Sequence, residues 1–277
     1  MRIECLQYSI HFTIIVKMSA MANAKPYFST SLEKGLKILS LFSRESPILT
    51  QSEISKTLGL NMTSTYRYIN TFVSLGYLEK DRKTKELRPG FRCLALCTNL
   101  IRATDNLHLI KRYVDTIYEK HNITIDVGFT VDDTMMRIYH KEAEETLTYN
   151  LPDVAPNCLH NTSVGKAYLS ALSPEQFEET LDRIDLPEKT KHTITQKNQL
   201  KAEIEKTRQR GYAMCEEEYL VGLITIGAPL ISPQNGEGVG AVSFDFSVLQ
   251  INAREIESKY AELIQETASA LSKRLHH

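Results

Sequence analysis

The sequence predicts an α+β chain in two parts: a winged helix-turn-helix, then a larger domain built on an antiparallel sheet. Three observations carry that expectation. Apolar residues recur at helical spacing in three short segments between residues 29 and 76, and a cationic hairpin pattern follows. From Ile123 the apolar period changes to two, and strand-like and helix-like segments run to the end. Charge divides in the same way. Residues 25–92 hold 12 Lys and Arg against 6 Asp and Glu, a net of +6, whereas residues 93–277 hold 19 against 27, a net of −8. The overall charge of −1 thus hides a basic segment suited to an anionic polymer and an acidic remainder.

The length of 277 residues fits about two domains, and 42% hydrophobic with 24% charged residues excludes a disordered or fibrous chain. Five unpatterned cysteines read as reduced thiols of a cytoplasmic protein. Cys93 and Cys97, one helical turn apart without a histidine ligand motif, are expected to pack rather than bind metal, and neither metal nor cofactor is expected elsewhere. Residues 1–24 imitate a signal peptide, but Gln7 and His11 interrupt the apolar run and Lys17 closes it. Residues 1–28 are therefore expected to be a disordered extension, with Met18 and Met21 as candidate later starts. No segment approaches membrane-spanning length, so no membrane partner is expected.

Each element has its own signal. Leu32, Leu36, Leu39 and Phe42 share helical spacing after a cap at Ser29 or Thr30. Thr50 or Ser52 caps a second helix that Gly59 ends, and Gly59, Leu60 and Asn61 alone separate it from a third, which Gly76 stops. On that third helix Thr65, Tyr68 or Ile69, Phe72 and Leu75 share the inner face, leaving Met62, Thr63, Tyr66, Arg67 and Asn70 outward. Arginine forks onto guanine or phosphate, asparagine pairs with adenine, and hydroxyls suit either. Tyr77 and Leu78, the turn DRKTK and the returning ELRP form a hairpin, whose Arg82, Lys83 and Lys85 are candidate phosphate contacts. Residues 29–90 form the predicted DNA-binding domain. Residues 91–106 read as a linker helix whose Phe91, Leu94, Leu96 and Ile101 suit pairing with another subunit.

Beyond it, residues 123–142 predict two antiparallel strands turned at Asp132–Asp133, and a loop spans Leu151–Pro156. Helices are expected within LHNTSVGKAYLSAL, after the Ser173-Pro174 cap, and over KNQLKAEIEKTRQR. Strands follow in YAMCEEE, GLITIGAPLIS and GVGAVSFDFS, and an amphipathic helix spans 253–275. Gly236, Gly238 and Gly240 precede a strand, which favours a hairpin turn over a dinucleotide loop. His160 is expected to be a hydrogen-bonded loop histidine rather than a metal ligand.

These strings resemble the IclR-type bacterial transcriptional regulators over about residues 29–275. The resemblance rests on SLEKGLKILSLF, QSEISKTLGL, STYRYINTFVSLGYLEKD and LRPGFRCLAL, then on LHNTSVGKAYLSAL, RQRGYAMCEEEYLVGLITIGAPLIS and GVGAVSFDFS. It implies a GAF-like effector-binding domain at 107–277, no enzymatic activity, and a homo-oligomer that binds double-stranded operator DNA, here a repressor. It adds Ser64 to Tyr66 and Arg67 on the recognition helix. For a small-molecule effector, such as an organic or sugar acid, it implies Tyr149, Ser163, Val164, Cys215, Leu223, Thr225, Ser243 and Asp245. Cys215 stands where an acid is usual in the family, and Asp245 where a small hydroxyl residue is frequent. An acid at 245 either repels an anionic effector or accepts hydrogen bonds from a polyol or sugar acid. Two other function classes remain on the sequence alone. One is an acyl-serine enzyme using the S-x-x-K string Ser163–Lys166, although its companion motifs are missing. The other is a non-specific nucleic-acid binder.

Overall fold

The computed structural model describes residues 27–43, 46–103, 106–144, 152–155 and 157–275. Tyr149 and all of the 1–28 extension except Tyr27 and Phe28 lie outside them. The chain divides into two compact units, Met1–Ala103 and Thr104–His277.

In the first unit, α1 (Thr30–Leu39), α2 (Gln51–Leu58) and α3 (Met62–Leu75) are each set by a side-chain cap. Ser29 accepts from Leu32, Thr50 and Glu53 form a reciprocal capping box, and Asn61 accepts from Ser64. Gly59 ends α2 at φ 61°, the left-handed conformation that lets α3 begin three residues later. The wing strands β1 (Leu78–Lys80) and β2 (Leu87–Pro89) pair antiparallel, and Leu49 adds a bridge to Leu87 that the sequence did not signal. Ile38, Leu41, Ile54, Ile69, Leu78 and Leu87 form the buried core.

Two expectations about apolar faces are corrected here. Leu32, Leu36 and Leu75 are more than half exposed, because Gly35, Ile38 and Leu41 face the core in place of the first two, and Leu75 lies in the last turn of α3 beyond Ile69. Helix α4 (Phe91–Ala103) has no buried position among its described side chains, with Phe91 81% and Leu94 64% exposed; the side chains of Ile101 and Ala103 lie outside them. The predicted packing of the cysteines holds only for Cys93, which donates to the Tyr77 carbonyl at 3.2 Å, whereas Cys97 is exposed.

In the second unit, α5 (Asn106–His121) leads into a six-stranded antiparallel sheet of order β5-β4-β3-β8-β7-β6. Its strands are β3 (Thr124–Val131), β4 (Thr134–Lys141), β5 (Val154–Ala155), β6 (Ala213–Glu216), β7 (Leu223–Ile231) and β8 (Gly238–Ser247). Asp132 and Asp133, both at positive φ, turn β3 into β4, and the short β5 lies in what the sequence marks only as a loop. Alternation divides the sheet into two faces. Ile125, Val127, Ile224, Ile226, Val242 and Phe244 pack with α5 and with α9 (Ala253–Ser272) through Ile110, Val114, Ile256 and Ile264. The other face carries α6 (Ser163–Ser170), backed by α7 (Pro174–Arg183) and α8 (Lys197–Arg210) through Leu169, Phe177, Leu181, Leu200 and Ile204. Among the described residues no helix is long and apolar enough to cross a membrane.

Candidate functional site

The first unit presents an exposed face built from α3 and the wing. Met62, Thr63, Tyr66 and Arg67 are exposed on α3, while Ser64 and Asn70 are half-buried. Tyr66 is not a core residue: it is 49% exposed, and the Lys80 ammonium stands 5.8 Å from its ring centroid. Arg82, Lys83 and Lys85 are exposed in the wing turn. Asp81 organises that turn by accepting from the Lys83 and Thr84 amides at 2.7 and 2.8 Å, bonds that hold its carboxyl below the usual range, Thr84 contributing most. A helix N-terminus flanked by a cationic hairpin presents donors and positive charge to a phosphate backbone.

The second unit contains a cavity with about 660 Å³ of free space, partly open to solvent, between the second face of the sheet and the start of α6. One wall is the sheet. Register places His140, Asp126 and Ser243 side by side across β4, β3 and β8, and Cys215, Thr225 and Asp245 side by side across β6, β7 and β8. The opposite wall is the loop into α6, with Asn161, Thr162, Ser163 and Val164. Gly165 fixes this wall, since a Cβ there would lie 2.4 Å from the Leu159 Cα and 2.7 Å from the Cys158 carbonyl. Thr162 caps the helix through the Gly165 amide, and the first intrahelical bond is Lys166 N–H to the Thr162 carbonyl. The Ser163 and Val164 amides precede that bond and have no intrahelical acceptor. Asn161 is fully buried, yet neither its amide nitrogen nor its oxygen has a hydrogen-bond partner.

All seven described candidates for the effector site, Ser163, Val164, Cys215, Leu223, Thr225, Ser243 and Asp245, line this one cavity. Sequence reasoning missed Asp126, Arg137, Asn161 and Glu218, which line it too. The Arg137 guanidinium donates to Asp153 Oδ1 at 3.0 and 2.7 Å and reaches Asp126 Oδ1 at 3.5 Å. His140 Nδ1 lies 2.7 Å from the same Asp126 oxygen, and Ser243 Oγ donates to Asp245 Oδ1 at 2.9 Å. Burial first, and the neighbouring Asp126 charge second, push the Asp245 carboxyl well above the ordinary carboxylate range.

The geometry removes the acyl-serine reading. Lys166 Nζ sits 2.5 Å from Glu218 Oε1 with its side chain 1% exposed. Burial alone would lower its pKa, but Cys215 and Glu218 beside it raise it, so the ammonium is held charged and cannot act as the base for Ser163. Burial also pushes the thiols of Cys215 and Cys158 up, the latter to about 12, leaving both unreactive at neutral pH. His160 is buried with Nε2 3.0 Å from the Pro187 carbonyl, a loop contact. Among the described residues no cluster of three or more His, Cys, Asp or Glu is placed to hold a metal ion.

Residues 31–82 match the model of the IclR helix-turn-helix domain, and residues 98–273 match that of the bacterial transcriptional regulator IclR C-terminal domain. The Pca regulon regulatory protein of Pseudomonas putida is 25% identical over 241 residues, covering 86% of this chain and 81% of that protein. The transcriptional repressor IclR of Escherichia coli is 23% identical over 223 residues, covering 80% and 81%. An IclR homologue from Microbacterium hydrocarbonoxydans, solved with 4-hydroxybenzoate, superposes with a TM-score of 0.68 at 20% identity, covering 89% of this chain and 99% of that one.

Proposed function

The chain belongs to the IclR family of bacterial transcriptional regulators, and from that premise we propose that it is a cytoplasmic repressor whose operator binding is changed by a small organic or sugar acid. The observation that carries the acid is the unpartnered, fully buried Asn161 amide beside the first-turn amides of α6. A carboxylate is the ligand group best matched to helix N-terminal donors. The 4-hydroxybenzoate held by one homologue supports a carboxylate ligand.

In this reading residues 29–90 hold the operator, with Met62, Thr63, Ser64, Tyr66, Arg67 and Asn70 in the groove and Arg82, Lys83 and Lys85 on the phosphates. Residues 91–106 pair two subunits through the exposed Phe91 and Leu94 of α4, since one winged domain covers only a half-site. Residues 107–277 hold the effector. The effector acts by unequal affinity for two arrangements of the DNA-binding domains, not by touching DNA.

The test is to select duplexes from a random-sequence pool with the full-length protein and follow their release by fluorescence anisotropy against a panel of small hydroxy, keto and sugar acids. Sequence-selective binding altered by one or more acids is expected. Affinity nearly equal for all duplexes would make the protein a non-specific binder, and complexes indifferent to every acid would remove the effector role.

A further inference from the structure

The cavity has a second polar wall that a carboxylate does not explain. Asp126 and Asp245 both line it, from neighbouring strands β3 and β8. The contacts they make with Ser243, His140 and Arg137 all fall on Oδ1 atoms, at 2.9, 2.7 and 3.5 Å. Burial and the neighbouring Asp126 charge push the Asp245 carboxyl well above the ordinary carboxylate range, which favours a proton on it beside the Asp126 carboxylate. A pair holding one proton both donates and accepts.

We propose that the Asp126–Asp245 pair is a subsite for a hydroxyl group of the effector, so that the cavity selects hydroxy acids, with the carboxylate on the α6 wall and the hydroxyl on the sheet wall. This rests on the acid-effector reading above and adds the group that the other end of the molecule must carry. A hydroxyl donates and accepts, as the pair does. A second carboxylate only accepts and would meet two acids. An ammonium only donates and would meet the Arg137 guanidinium, already 3.5 Å from Asp126. An apolar end would take water from both carboxyls and return no hydrogen bond to them.

Calorimetric titration of the full-length protein with two matched sets separates these cases. One set is 4-hydroxybenzoate, 4-methylbenzoate and 4-(aminomethyl)benzoate; the other is 4-hydroxybutyrate, pentanoate and 4-aminobutyrate. In at least one set the hydroxy member is expected to bind about tenfold tighter than its methyl-ended counterpart, as one hydrogen bond to a charged group allows. Asp245→Ala is expected to abolish that advantage. Asp245→Asn, which keeps a donor and an acceptor in place, is expected to retain it within about threefold. The proposal falls if the methyl-ended acids bind as well, if the ammonium members bind tightest, or if the advantage survives Asp245→Ala. If hydroxy and methyl-ended acids bind alike and Asn161→Ala weakens both, the acid reading stands and the hydroxyl subsite alone is lost. If none of the six binds, both are lost.

Discussion

Lys166 and Glu218 form an ion pair of 2.5 Å at the edge of the cavity, joining α6 to the segment after β6 across 52 residues of sequence. The Glu218 Oε2 atom is buried without a partner, so the pair is anchored at one oxygen only. Removing one member strands a buried charge, which costs about 3–5 kcal/mol. Lys166→Met is therefore expected to lower the unfolding free energy by that amount in urea, and Lys166→Met with Glu218→Leu to recover most of it. A double variant no more stable than the single one would contradict this.

Asp245 gives stability a pH dependence of a definite sign. Its carboxyl is held above the ordinary range by burial and by Asp126. An acid raised in the folded state favours folding below its unfolded pKa of about 3.9, and that contribution is lost as pH rises through the folded value. Asp245→Asn removes the acid, so its melting temperature is expected to exceed the wild type by a few degrees at pH 8, with the gap closing toward pH 4. Thermal melts across that range check it, and a gap that widens in acid would refute the assignment.

Arg67 is exposed on α3, where an arginine reaches base edges or phosphates. Arg67→Ala is expected to weaken operator binding by about 1–3 kcal/mol in a filter-binding titration. Lys83→Ala in the wing is expected to weaken all duplexes alike and to flatten the salt dependence.

The apolar face of α4 predicts self-association. Sedimentation at micromolar concentration is expected to show at least a dimer, and Leu94→Glu to shift the protein toward monomer and weaken operator binding in parallel. Leu94 is 64% exposed, so the variant disturbs little packing among the described residues. A monomeric wild type with intact operator affinity would count against it.

Regulation must be reciprocal. Whatever factor the effector applies to operator affinity, operator DNA applies to effector affinity, typically about 1–3 kcal/mol of coupling. Titrating effector into free and DNA-bound protein is expected to give different affinities. Equal values would mean that the cavity does not regulate.

The helix-turn-helix was legible because its signals are local: Thr50, Gly59, Asn61 and Gly76 each act within a few residues of themselves. The packed face of α1 was not, since Leu32 and Leu36 lie at the same helical spacing as Gly35 and Ile38. Only tertiary packing decides between two such stripes. Within the cavity Asp126 did carry a signal, standing between the buried Ile125 and Val127 and so on the opposite face of β3. Arg137 and Asn161 carried none. Arg137 lies beyond the register shift at Val127/Gly128, and Asn161 is placed by a loop packed on Gly165, neither of which periodicity describes.

The strict alternation of the sheet also bears on how such a regulator can diverge. On β8 the even positions 242 and 244 belong to the hydrophobic core, and the odd positions 243 and 245 line the cavity; on β7 the even 224 and 226 are core, and the odd 223 and 225 line it. Drift at the odd positions can retune which metabolite is heard while the even ones go on supporting the fold. A single-residue insertion in β8, by contrast, would exchange the two sets, sending phenylalanine into the cavity and aspartate into the core. Lineages should therefore change ligand by substitution along these strands, and keep insertions and deletions to the turns between them.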